Sequence, residues 1–352
     1  MLDFSLPTRI CFGSDALSAL KEYHGQLALL VTDPFFEKNG KAQRLLAQFS
    51  PESEIFAQIG GEPTVAMAAK GAQQLNRLRP RLLIALGGGS AMDCAKGMLA
   101  AWESGEAPCF AAIPTTSGTG SEVTSFAILT HQGVKKVLLE EKLRPQLAIL
   151  DPELLTALPP GLIADGGMDA LSHALEAAVA RKANPFTTAL AVWAAQTLLQ
   201  HLPDSYRGDT RLRGELHLAA TMAGVAFDRA GLGACHALSH ALGGRFHLPH
   251  GRLNAVLLPR VLEFNLEKCG ERYGELAKKL HLSSGRSLVF ALRRLCRELG
   301  LPRSLTAAGI PREALLSSLK ELCQAALEDP CSASNPRKPS PEDYAGILRK
   351  CL

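Results

Sequence analysis

Leu82-Leu83-Ile84-Ala85-Leu86-Gly87-Gly88-Gly89-Ser90-Ala91-Met92-Asp93-Cys94-Ala95-Lys96 is the stretch that decides the fold. Five apolar residues of strand length run into three glycines, and a helical pattern of small residues starts at once. Glycines let a backbone come close to a pyrophosphate, and the free N–H groups and dipole of a helix start favour its charge. The turn departs from the G-x-G-x-x-G fingerprint, because Met92 stands where the third glycine would fall. Taken alone, it reads equally well as a tight turn without function.

Working outward, strand-like and helical patterns alternate at residues 26–31 and 41–48, then at 81–86 and 91–102, which implies a parallel sheet covered by helices. After the apolar run Leu147–Leu150, Asp151-Pro152 and Pro159-Pro160-Gly161 punctuate the chain, and strand-like runs become scarce. Helical periodicity takes over at 169–181, 211–227 and 271–280, with Pro302 and Pro311 breaking later helices. The expected class is α/β, with a parallel-sheet dinucleotide-binding domain over residues 1–158 and an all-helical metal and substrate domain over 159–352. A ligand gripped by both is expected outside the carboxyl ends of the strands. Residues 329–341, rich in Pro, Ser and Asn, read as an irregular surface segment.

The 352 residues are 47% hydrophobic and 20% charged, enough apolar material for more than one core. A formal charge of +4 is small for this length and excludes no class except strongly basic nucleic-acid binders. The densest basic stretch, residues 286–297, spaces Arg293, Arg294 and Arg297 between leucines as the solvated face of an amphipathic helix would. Nine cysteines without a C-x-x-C pair, and no cleavable-looking leader, read as reduced thiols of a cytoplasmic protein. The most apolar helix candidate, 186–202, is interrupted by Thr187, Thr188, Gln196, Gln200 and His201, so it reads as a buried core helix and not a membrane span.

Pro114-Thr115-Thr116-Ser117-Gly118-Thr119-Gly120-Ser121-Glu122 follows the apolar run 110–113 and offers hydroxyls and amides to a ribose, a phosphate or a carboxamide. Ser and Thr clusters are more often plain turns. Asp33 follows the strand 27–31, where an acid bonds the adenosine ribose and repels the extra phosphate of NADP, which favours NAD.

Asp169 and His173 are four residues apart, a spacing that puts both on one helix face at chelating distance, and His236 and His240 repeat it. Four of the ten histidines, His236, His240, His247 and His250, fall within one short stretch. A lone histidine is more often structural; two spaced pairs plus a loop histidine reverse that weighting. Three imidazoles and a carboxylate suit Fe(II) or Zn(II) and leave a coordination position for a substrate oxygen. Spacing leaves open which of the four histidines stands aside. Phe126, Phe227 and Phe246 are candidate walls for a small apolar substrate, with ordinary core packing as the alternative for each.

Together, Gly87-Gly88-Gly89-Ser90-x-x-Asp93-x-x-Lys96, the Thr115 to Glu122 loop, Gly167-Met168-Asp169-Ala170-Leu171-Ser172-His173-Ala174-x-Glu176, Ala230-Gly231-Leu232-Gly233-x-x-His236-Ala237-x-x-His240-x-Leu242-Gly243 and Leu248-Pro249-His250-Gly251 resemble the iron-containing, or group III, alcohol dehydrogenases. The resemblance runs on to Asn335-Pro336-Arg337. Phe4-Ser5-Leu6-Pro7-Thr8-Arg9 and the stretch from Gly244 to His250 are most similar to the short propanol and ethanol dehydrogenases of bacterial diol and ethanolamine catabolism. Residues 130–143 carry few of the family's usual identities.

The resemblance implies that Asp169, His173, His236 and His250 hold Fe(2+), with Zn(2+) as a replacement, and that His240 lies beside the substrate and not on the metal, where a proton relay through water or ribose is the mechanistic expectation for it. It also implies that Asp33, Gly88, Gly89, Ser90, Thr115, Thr116 and Lys135 contact NAD(H), with Lys136 the alternative to Lys135. The expected activity is interconversion of a short-chain primary alcohol and its aldehyde by a cytoplasmic homodimer, with no membrane or nucleic-acid partner. Some relatives work inside protein-shelled microcompartments, but no encapsulation peptide stands out. Two rival readings are a zinc polyol dehydrogenase of the same superfamily and a non-catalytic cargo protein; the second would need a missing ligand, and none is missing.

Overall fold

A computed structural model describes residues 4–103 and 105–352. It divides into two compact units, Ser5–Ala157 and Leu158–Leu352, with Phe4 packed on the second. The first is the expected parallel sheet with covering helices, and the second is helical throughout.

In chain order the first unit holds β1 (Arg9–Phe12), β2 (Ala28–Thr32), α1 (Pro34–Lys38), α2 (Lys41–Leu46), β3 (Glu54–Phe56), α3 (Val65–Leu78), β4 (Leu82–Gly87), α4 (Gly89–Ala100), β5 (Cys109–Pro114), β6 (Phe126–His131), β7 (Val134–Leu139) and β8 (Leu147–Leu150). Six strands form one parallel sheet in the order β1-β8-β5-β4-β2-β3. The central strand β4 is buried at every position, which is why its sequence is a continuous apolar run and does not alternate. Successive side chains point to opposite faces: Leu83 and Ala85 pack under α3 and α4, while Leu82, Ile84 and Leu86 pack with Phe36, Ala42 and Leu45 of α1 and α2. The connections leaving β2 and β4 therefore start toward opposite faces. That makes the gap between these two neighbouring strands the switch point at which open α/β sheets bind ligands.

The stretch 130–143 falls mostly in an antiparallel hairpin, β6 with β7, which stands outside the main sheet. Strands β1 and β3 had no clear signal; each is a short edge strand of four residues or fewer.

The second unit holds α5 (Pro160–Val179), α6 (Pro185–Tyr206), α7 (Arg213–Ala230), α8 (Ala234–Phe246), α9 (His250–Lys279), α10 (Gly285–Glu298), α11 (Arg312–Ser317), α12 (Leu319–Glu328), α13 (Pro330–Ser334) and α14 (Pro341–Lys350). Its core gathers side chains from α5 to α14, led by leucines such as Leu171, Leu198, Leu238, Leu257 and Leu292, each worth roughly 1.5–3 kcal/mol when fully buried. The periodic stretch 271–280 is the end of α9, whose helical angles break at Cys269.

Two expectations need correction. Helix α6 is not a buried core helix: its small residues Ala191, Ala194 and Ala195 are enclosed, but Phe186 is 65% and Trp193 38% exposed, and Phe186 stacks on Phe4. Residues 329–341 are not an irregular surface segment. They contain α13, and Ser332 and Asn335 are buried there because their polar side chains satisfy other groups; the Asn335 carbonyl accepts from Ala234 N–H and from the Asn265 amide. Along 286–297 the basic face is solvated as expected, with Leu292 and Leu295 inward and Arg293 donating to Glu263. Among the described residues, no helix is long and apolar enough to cross a membrane.

Candidate metal centre and nucleotide turn

Three helical stripes build the centre. Asp169 and His173 lie one turn apart on α5, His236 sits in the first turn of α8, and His250 is the first residue of α9. Asp169 Oδ1 is 3.8 Å from His173 Nε2, 3.8 Å from His236 Nε2 and 3.6 Å from His250 Nε2. These distances are too long for hydrogen bonds. Donors sharing one ion at about 2.0–2.2 Å in a tetrahedral arrangement stand roughly 3.3–3.6 Å apart, so the His250 distance matches and the other two are slightly wider. Asp169, His173 and His236 are buried, and His250 is partly open. Three imidazole nitrogens and a carboxylate oxygen converging in a largely buried place fit a divalent transition ion.

The neighbours explain how the donors are aimed. Glu176, one turn beyond His173 on the same stripe, accepts from His236 Nδ1 at 2.7 Å and from the backbone N–H groups of Gly233 and Cys235 at 2.8 Å each. A carboxylate can only accept, so the proton shared with Glu176 sits on Nδ1, and in the neutral ring Nε2 keeps the lone pair on the side facing Asp169. Glu176 also caps the start of α8, which joins the tautomer to the helix position. Asn254, one turn beyond His250, donates to Asp169 Oδ1 at 2.9 Å and accepts from Ser239. Burial opposes a charge on His236, but the carboxylates of Asp169 and Glu176 outweigh it and push the imidazole up to about 9. Burial works against the charge on Asp169 as well; the imidazoles of His173 and His250 reverse this and hold its carboxyl below the ordinary range. A cation held by His236 would have to displace a proton from it.

Of the four crowded histidines, two stand aside. His247 is exposed and ends α8 in a left-handed conformation. His240, one turn beyond His236, turns Nδ1 to Asp329 Oδ2 at 2.8 Å and stacks on His250, ring centroids 5.2 Å apart. Burial would raise the Asp329 carboxyl, but His240 holds it down to about 2. Phe227 stacks on His173 at 4.3 Å, which places it against the donors. Phe246 packs half-buried on the helical core, and Phe126 lies in the other unit with the Lys96 ammonium 5.8 Å from its ring centroid. Cys235 is buried beside Asn254; burial pushes its thiol well above the ordinary range, which keeps it from acting as a thiolate ligand.

In the sheet unit the glycine turn lies at the switch point. Gly87 has φ +155°, and a Cβ there would lie 2.7 Å from that of Ala91, so the turn excludes a side chain. Gly88 precedes α4, and Gly89 and Ser90 form its first residues, half-buried with their N–H groups at the helix start. Thr115 N–H donates to Gly87 O at 2.9 Å, and Thr116 Oγ1 is 3.2 Å from where a Gly88 Cβ would stand, so the second loop borders the first. Asp33 follows β2 and caps α1 with Oδ1, bonded to Phe35 N–H and Phe36 N–H, while Oδ2 faces Gly87. Lys135 on β7 is half-buried and pairs with the exposed Glu62 at 2.8 Å, and Lys136 is exposed.

Lys96, fully buried, went unassigned by sequence reasoning although its motif was visible. Its ammonium donates to Ser121 Oγ, Thr124 Oγ1 and Phe126 O at 2.8–3.0 Å, and Ser121 donates on to Asp93 at 2.8 Å. A buried ammonium persists only when its donors are engaged, so this network pins the Thr115 to Ser125 loop onto α4.

A phosphate-type helix start in one unit and a three-imidazole, one-carboxylate cluster in the other define the class as a metal-assisted, dinucleotide-linked oxidoreductase. Residues 7–152 match the model of the iron-containing alcohol dehydrogenases, and residues 163–352 match the C-terminal model of the Fe-containing alcohol dehydrogenase family. The chain is 39% identical to a 1-propanol dehydrogenase of Citrobacter freundii over the full length of both, and 34% identical to an NADPH-dependent butanol dehydrogenase of Clostridium saccharobutylicum over 99% of this chain and 97% of that one. The structure of an iron-containing alcohol dehydrogenase from Thermococcus thioreducens superposes with a TM-score of 0.90 at 33% identity, covering 99% of each chain. The chain belongs to the iron-containing alcohol dehydrogenase family.

Proposed function

We propose that this chain is an NAD(H)-linked, Fe(II)-dependent dehydrogenase that interconverts a short-chain primary alcohol and its aldehyde. The observation that carries the reading is the gathering of three imidazole Nε2 atoms at 3.6–3.8 Å around one buried carboxylate oxygen. Asp169, His173, His236 and His250 would hold the ion, which when bound supplies Lewis acidity to a carbonyl or alkoxide oxygen. Zn(II) suits the same donors and, being the stronger binder in the divalent series, is the ion expected to replace iron in air. Glu176 and Asn254 hold the donors in place. Phe227 shields one face of His173 from water. His240 moves the hydroxyl proton, directly or through a water or ribose hydroxyl. The cytoplasm is the expected setting, with a homodimer as the working form, free or enclosed in a protein-shelled microcompartment.

The decisive assay follows NADH oxidation anaerobically over a panel of two- to four-carbon aldehydes, with metal-free protein and after adding Fe(II). Turnover should need the ion and recover with it. Metal-independent turnover, or none with any aldehyde, would overturn the assignment.

Asp33, Gly88, Gly89, Ser90, Thr115, Thr116 and Lys135 would contact the nucleotide. The butanol dehydrogenase relative is named for NADPH, so coenzyme preference must rest on local residues, and Asp33 Oδ2 beside the glycine turn is the group that would repel a 2′-phosphate. Asp33→Asn keeps the cap on α1 and removes the charge. The ratio of kcat/KM for NADH over NADPH should fall by at least about tenfold, equal to about 1.4 kcal/mol. An unchanged ratio would remove Asp33 from the coenzyme site.

A further inference from the structure

We propose that Asp329 is a positioning residue that fixes the tautomer and ring orientation of His240. This rests on the reading of His240 as the proton-moving group. His240 Nδ1 is 2.8 Å from Asp329 Oδ2, and the other oxygen, Oδ1, accepts from Cys331 N–H at 2.8 Å at the start of α13. The carboxylate is thus held on both sides, and both side chains are largely enclosed, at 16% exposure for His240 and 12% for Asp329. An ionised carboxylate can only accept, so the proton between them belongs to Nδ1, and in the neutral ring Nε2 carries the lone pair. Stacking on His250, with an interplanar angle of 15°, sets the ring plane, and the bond to Asp329 sets which edge faces which way. A flipped ring would turn a carbon to the carboxylate and lose the bond. The proton removed from an alcohol hydroxyl is taken up at Nε2, and in aldehyde reduction the same atom returns it.

His240, Asp329 and Cys331 also bring three metal-type donor atoms within 4.8 Å. Each oxygen of Asp329 already accepts an N–H, so the trio is a hydrogen-bonded chain and not a second cation site.

Asp329→Asn is the informative change. Asparagine caps a helix as well as aspartate does, so its oxygen keeps Cys331 N–H and its NH2 group turns to His240. That donor demands a lone pair on Nδ1 and moves the ring proton to Nε2. On Zn(II)-loaded protein, 15N NMR of the His240 ring should show the tautomer exchanged, with metal content and Tm retained. With Fe(II), kcat should fall roughly 10²–10⁴-fold, the range of general acid–base catalysis, while KM for the nucleotide stays unchanged. In a His240→Ala background, Asp329→Asn should cost nothing more. If His240→Ala impairs turnover but Asp329→Asn leaves tautomer or kcat unchanged, the proposal fails. It fails equally if Asp329→Asn loses the metal or adds an independent loss to His240→Ala. Full turnover in His240→Ala would instead overturn the relay reading and take the positioning role with it. Should Asp329→Asn not fold, Asp329→Ser keeps a capping oxygen too short to reach His240 and carries the same kcat and metal tests.

Discussion

Asp169→Ala should leave anaerobic purification without stoichiometric metal and with aldehyde reduction lowered at least about a thousand-fold. Asp169 Oδ1 lies 3.6–3.8 Å from all three Nε2 atoms, and it also accepts the Asn254 amide. Its removal takes away the only carboxylate among the proposed donors and leaves the buried N–H of Asn254 without this acceptor, at a cost of about 1–3 kcal/mol. Losing Lewis-acid stabilisation adds several kcal/mol to the barrier, and each 1.36 kcal/mol is tenfold in rate. Metal per chain and kcat check the prediction together. Asp169→Ala protein with full metal and near-normal turnover would mean that the cluster is not the reacting centre.

Gly251→Ala should lower the Tm by on the order of ten degrees and weaken metal retention. A Cβ at Gly251 would lie 1.8 Å from Asp165 O, a backbone atom of α5, so relief requires the start of α9 to withdraw by more than an ångström. Overpacking of this kind costs about 3 kcal/mol, and a unit near 200 residues loses about 2–4 °C per kcal/mol. His250 is the adjacent residue, and the Arg252 fork on Asp165, 2.9 and 3.3 Å from its oxygens, ties the same turn down. Gly274→Ala, on the same helix with nothing within 4 Å of the new Cβ, is the control and should be neutral or slightly stabilising. Equal Tm values for the two variants would refute the close-approach argument.

The sheet was legible because its inner strands are buried on both faces and so are written as unbroken apolar runs between glycines and prolines; Leu82–Gly87 is the clearest. The hairpin Phe126–Leu139 was not, since it stands outside that sheet and much of its surface is exposed. Spacing revealed Asp169 with His173, but choosing His236 and His250 over His240 and His247 took the family resemblance. The supporting residues did leave a trace. Glu176 continues the 169-173 stripe by three residues and Asn254 lies four past His250, the same periodicity that exposed the donors. Asp329 left none: it caps a five-residue helix 89 positions after its partner, a contact that only tertiary folding creates.

Strand β1 lies in register with β8, Arg9 opposite Leu147 and Phe12 opposite Leu150, so one border of the sheet joins segments roughly 140 positions apart. During synthesis the first of these must wait unpaired until the second has been made, because β8 is its sole partner in the sheet. Assembly of the sheet unit should therefore spread from β2, β4 and β5 and close last at that seam, where loop-closure entropy is greatest.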